Sequence, residues 1–153
     1  MIELVNVSKT YNGTVKAVDD LTLVVPEGQI VGFLGPNGAG KTTTIKIIAG
    51  VLNADSGSIT INGVDIRESP LEAKSQFGYV PDNPDMFLRL KGIEYLDFMA
   101  DIYKVPGDLR EERIKELSES FEMEAALNDQ IQSYSHGMRQ KIVLMGVLVH
   151  APS

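Results

Sequence analysis

An α/β fold is what this sequence predicts, and three features predict it. Residues 30–34 (Ile-Val-Gly-Phe-Leu) form a short continuous apolar run, the pattern of a strand buried on both faces. A glycine-rich loop follows at once, and behind it residues 42–49 read as a helix that Gly50 is placed to cap. The third feature is a change of character along the chain. Alternating apolar residues and turn signals occupy the first half, whereas residues 84–133 are patterned mostly as helix.

The elements follow in order. Residues 2–7 alternate, with Ile2, Leu4 and then Asn6 on one face and Val5 and Val7 near the other, as in a half-buried strand. Tyr11-Asn12-Gly13 is a turn, and Leu21, Leu23 and Val25 share one face of a second strand. Pro26-Glu27-Gly28 turns the chain into the apolar run at 30–34. A turn over 53–57, a strand over 58–61 and a hairpin-type Asn62-Gly63 come next. Pro70 opens a short helix over 71–75, and residues 77–80 (Phe-Gly-Tyr-Val) form another apolar strand closed by Pro81. Residues 82–90 are loop, followed by helices near 92–104, 108–120 and 136–149.

Composition narrows the class. A chain of 153 residues supports one domain with a sizeable core, and 43% hydrophobic with 23% charged residues is ordinary for a globular protein. A net charge of −7 argues against a nucleic-acid partner. The absence of cysteine excludes disulfides and thiolate metal sites. No apolar stretch approaches the roughly 20 residues of a membrane-spanning helix, and the N-terminus carries no signal-peptide pattern, so a cytoplasmic chain is expected.

The loop itself is the strongest motif. Gly35, Pro36, Asn37, Gly38, Ala39, Gly40, Lys41 and Thr42 match G-x-x-x-x-G-K-[ST]. Its glycines permit backbone conformations closed to residues with a β-carbon, so successive N–H groups can converge on an anion at the positive end of the following helix. Lys41 adds a full charge for the β- and γ-phosphates, and the Thr42 hydroxyl is placed to ligate a Mg²⁺ ion bridging them. A strand before the loop and a helix after it supply the context that the chemistry requires. This is a loop for the phosphate tail of a nucleoside triphosphate.

The surrounding residues narrow it further. The run GPNGAGKTT, which adds Thr43, is preceded by PEGQIVGFL and resembles the phosphate-loop region of ATP-binding cassette (ABC) proteins. About a hundred residues later Tyr134, Ser135, His136, Gly137 and Met138 stand where that family has its L-S-G-G-Q signature. The serine and the second glycine match, and a helix begins directly behind them. The resemblance implies a P-loop NTPase fold with an N-terminal antiparallel β-subdomain and an inserted α-helical subdomain. It divides the chain into a β-subdomain and ATP-binding core over 1–83, a helical subdomain over 84–135 and a signature helix over 136–153.

It also implies roles. Tyr11 corresponds to the aromatic residue that stacks on adenine; Val18 is either a packing residue beside the ribose or a core residue. Asp82 stands where the family has a glutamine that reaches Mg²⁺, so Thr42 and Asp82 are the metal candidates. Met86, Phe87 and Leu88 are either core or contacts for a membrane subunit. His136 and His150 are read as a polar loop residue and a helix-end residue, not as catalytic groups. The cofactors implied are ATP and Mg²⁺. The partners are a second nucleotide-binding domain, paired head to tail so that residues 135–138 of one copy close over ATP on the other, and integral membrane subunits at the inner face of the membrane.

The acidic position at 82 and the S-H-G-M variant resemble the subgroup that serves export systems. In the family a further strand follows, carrying the carboxylates that organise Mg²⁺ and activate water. The sequence stops at Ser153 before that strand, so a chain lacking the family's C-terminal third, with no catalytic residue of its own, is expected. A soluble ABC-type ATPase and a non-catalytic nucleotide-binding fragment are the alternatives.

Overall fold

The computed structural model describes residues 1–81, 83 and 87–152. It divides into two compact units, Met1–Phe77 and Gly78–Ser153.

The first unit is built on a four-stranded antiparallel sheet in the order β2-β1-β3-β4. Its strands are β1 (Ile2–Tyr11), β2 (Val15–Val25), β3 (Ser56–Ile61) and β4 (Val64–Asp65). Helices α1 (Lys41–Ile48) and α2 (Pro70–Ser75) complete it. The core comprises Leu4, Val7 and Val18 from the long hairpin, Ile59 and Ile61 from β3, and Ile47, Ile66 and Ala73. Asn62 and Gly63 both have positive φ, 48° and 82°, which is the two-residue hairpin turn expected from the sequence.

The strand β1 departs from simple alternation. Val7 is buried on the same face as Leu4 instead of lying opposite it, because the register shifts between them. Asn6 sits in the left-handed region (φ 51°) at the shift, donating its side-chain amide to Asp20 Oδ1 at 2.8 Å. Facing it, Gly57 has φ +86°, and a β-carbon there would lie 2.5 Å from the carbonyl oxygens of Val5 and Asn6. This bulge adds a residue and returns the alternation to the core.

Two expected strands are not formed among the described residues. Residues 30–34 and 77–80 have no ladder partner, and Ile30 and Leu34 are 104% and 92% exposed. The physical reason is lateral. A strand apolar on both faces belongs in the middle of a sheet, where neighbours satisfy its backbone on both edges. The four strands present pair only with one another, so neither segment has a ladder to join.

The second unit is helical: α3 (Gly92–Ile102), α4 (Gly107–Phe121) and α5 (His136–Leu148), with 3₁₀ turns at Glu124–Ala126 and Ile131–Ser133. Helices α3 and α4 pack on α5 around Tyr95, Leu96, Ile114, Ile142, Met145 and Val149. Close approach is possible because Gly146 has no side chain. A β-carbon there would lie 2.6 Å from the Tyr95 ring. Among the described residues no helix is long and apolar enough to cross a membrane.

Candidate functional site

The phosphate loop is seated against β2. Gly40 is the N-cap of α1, with φ 81° and ψ 4°, and a β-carbon on it would lie 2.0 Å from the Ala17 carbonyl oxygen. Only glycine fits both the dihedral and the contact. Thr44 locks the junction from inside: it is buried, and both its N–H and its hydroxyl donate to the Gly40 carbonyl, at 2.8 and 2.9 Å. Within the loop, Ala39 N–H donates to Pro36 O at 3.2 Å. The Lys41 ammonium donates to the carbonyls of Gly35 (2.6 Å) and Pro36 (2.7 Å), which holds its charge at the loop.

Helix α1 has no side-chain N-cap and no acidic residue in its first turn. Its leading amides and its dipole are therefore left for an anion. They face a cleft of about 280 Å³. The loop side is Asn37, Gly38, Gly40, Lys41, Thr42 and Thr43, and the hairpin side is Val15, Lys16 and Ala17. Among the described residues no carboxylate lines it. The donor set suits a polyphosphate, and the Thr42 hydroxyl offers one hard oxygen to a Mg²⁺ ion whose other ligands would come from phosphate and water.

Six of the nine loop residues named from the sequence therefore line one cleft; Gly35 and Pro36 serve through their carbonyls and Ala39 through its amide. Tyr11 does not line it. It is 39% exposed at the end of β1, paired across the hairpin with Val15, which does. Val18 is buried in the core, which decides between its two readings. Asp82 and Met86 lie outside the described residues. Sequence reading missed Val15, Lys16 and Ala17, because β2 starts six residues before the apolar alternation that signals it.

A larger cleft, about 530 Å³, lies at the other end of α1, floored by Ile47, Leu52, Ile59 and Ile66. Its two cations are engaged structurally: Lys74 donates to Gly50 O at 3.1 Å and Arg67 to Ala54 O at 2.9 Å. Lys74 thereby caps the C-terminus of α1.

The second unit carries the other motif. Ser135 is the N-cap of α5, its hydroxyl accepting from Met138 N–H at 3.3 Å. His136 and Gly137 are exposed in the first turn, again without an acidic residue, and a β-carbon on Gly137 would meet open space. Tyr134 anchors the segment. It is buried, its hydroxyl donates to Ala126 O at 2.6 Å, and Gly92 leaves it room. Burial pushes the Tyr134 phenol above its usual range, with Asp129 adding to the effect.

Of the remaining candidates, His150 stacks on Tyr103 with ring centroids 3.6 Å apart and planes at 4°, a packing role. Leu88 packs against the helical core, whereas Phe87 is 44% exposed and sits 5.3 Å from the Phe98 ring.

Comparison with known proteins bears on the family and the fold. The family described as ABC transporter matches residues 18–153. The lipopolysaccharide export system ATP-binding protein LptB of Escherichia coli (strain K12) is 39% identical over 153 residues, covering 96% of this chain and 62% of LptB. A solved ATP-binding subunit of an ABC transporter superposes with a TM-score of 0.92 at 32% identity, covering 99% of this chain and 63% of that one. The ATP-binding cassette MJ0796, solved as a dimer in a post-hydrolysis state bound to ADP and Pi, gives 0.85 at 25% identity, covering 99% and 71%. The chain spans about half to three fifths of the length of the curated relatives it matches.

Proposed function

We propose, from the premise that this chain belongs to the ABC transporter family, that it is an ATP-binding portion of a transport ATPase. The observation that carries the reading is the cleft on which the first turn of α1 and Lys41 converge. In it, the amides of Gly38 and of residues 40–43 hold the β- and γ-phosphates and Lys41 offsets part of their charge. Thr42 orients Mg²⁺, which when bound stabilises charge on the phosphate oxygens. Tyr11, at the hairpin end beyond Val15, stacks on the adenine.

Residues 135–138 form the other half of a composite site. The exposed first turn of α5 is a second helix N-terminus without a competing carboxylate, suited to close over the γ-phosphate held by another copy. The dimer of MJ0796 supports pairing of two copies, here taken head to tail, and the name of LptB supports export as the direction of transport. Membrane subunits at the inner face are the partners this function requires, and Phe87 with Phe98 offers them an exposed aromatic pair.

Water attack on the γ-phosphate calls for a general base near the cleft. Among the described residues no carboxylate lines it, and this chain is expected to bind MgATP and release phosphate negligibly. Sedimentation with and without MgATP tests the composite site. The expected result is ATP-dependent dimers in the wild type, lost in Ser135→Arg. Dimers that persist in Ser135→Arg, or phosphate release at a rate of order 1 s⁻¹, would contradict the reading.

A further inference from the structure

The cleft is lined by a second lysine that the phosphate-loop motif does not include. Lys16 sits on β2 between Val15, which pairs with Tyr11, and Ala17, whose carbonyl lies against Gly40. We propose that Lys16 is a second phosphate-binding residue, which donates its ammonium to the nucleotide's phosphate tail from the hairpin wall while Lys41 acts from the loop. The inference deepens the reading of this cleft as a nucleotide site and rests on it.

Four observations carry it. Lys16 lines the cleft together with Asn37, Lys41 and Thr42. Its position is fixed: β2 is paired to β1 at Thr10↔Lys16, and the loop is seated on the strand with no space for a β-carbon at Gly40. Lys41 has three donors, and two of them are committed to the carbonyls of Gly35 and Pro36. A triphosphate carries more charge than the one remaining donor can answer. Finally, Lys16 is paired with Asp19 at 2.6 Å, and both side chains are more than half exposed (58% and 60%). An exposed pair of this kind contributes little and is easily exchanged. A polyphosphate is the stronger partner, since it offers several charged oxygens within reach of a flexible stem.

The test is a fluorescence titration with methylanthraniloyl-ATP in Mg²⁺, with adenosine as a competitor. Lys16→Gln should weaken ATP binding by roughly three- to tenfold, and Lys16→Arg should restore it. Displacement by adenosine, which has no phosphate, should be unchanged. The gap between wild type and Lys16→Gln should narrow as salt is raised, and Asp19→Asn should tighten ATP binding. Wild-type ATP affinity in Lys16→Gln overturns the inference, as does an equal loss for adenosine, which would make Lys16 a wall residue. A wild-type chain with no affinity for ATP would overturn the reading of the cleft itself, and the inference with it.

Discussion

Gly40 is the residue on which the loop geometry turns. It combines a left-handed backbone with a 2.0 Å clash distance to the Ala17 carbonyl, so no other residue is accommodated without moving the loop off β2. Gly40→Ala is expected to lower the stability of the first unit by about 1–3 kcal/mol and to abolish ATP binding, measured by denaturant unfolding and nucleotide titration together. Tyr95 makes a separate prediction. Burial, with Tyr103 adding to it, raises its phenol from 10.0 to about 12. The folded state therefore resists ionisation that the unfolded chain undergoes freely. Its contribution is complete below pH 10 and is lost as pH rises from 10 to 12, on the order of 2 kcal/mol. Unfolding of Tyr95→Phe should show a flatter pH dependence in that window.

At the scale of elements, the legible parts were those fixed by local chemistry. The hairpin turn at Asn62-Gly63 and Pro70 opening α2 each follow from one or two residues whose own conformational needs decide the outcome. The turn through Gly40 into α1 was legible for the same reason. What was not legible depends on neighbours. The bulge at Asn6 exists because β1 is paired on both sides, and nothing in residues 2–7 alone announces it. The apolar runs at 30–34 and 77–80 state a preference for burial within a sheet, but a strand needs partners as well as a pattern. Val15, Lys16 and Ala17 carry no apolar alternation, so their place beside the loop came only from the pairing with β1. An element-level prediction concerns Ser135. Ser135→Ala removes the only side-chain cap of α5 and should destabilise the helical unit by about 1 kcal/mol, measured by denaturant unfolding.

For the whole molecule, the two motifs fall in different compact units, the phosphate loop in Met1–Phe77 and the signature-like turn in Gly78–Ser153. Both are helix N-termini stripped of acidic residues, which is the electrostatic condition for holding phosphate. On the function proposed above, that shared device would let an acidic chain hold phosphate at two local sites despite its net charge of −7.

The central claim, that residues 35–43 form a nucleotide phosphate site, is tested most directly by calorimetric titration of MgATP into the wild-type chain and Lys41→Ala. The account predicts saturable binding at one site per chain in the wild type, weakened by at least about tenfold in Lys41→Ala, consistent with losing a charge-assisted contact. Binding that is absent in the wild type, or equally tight in Lys41→Ala, would contradict it.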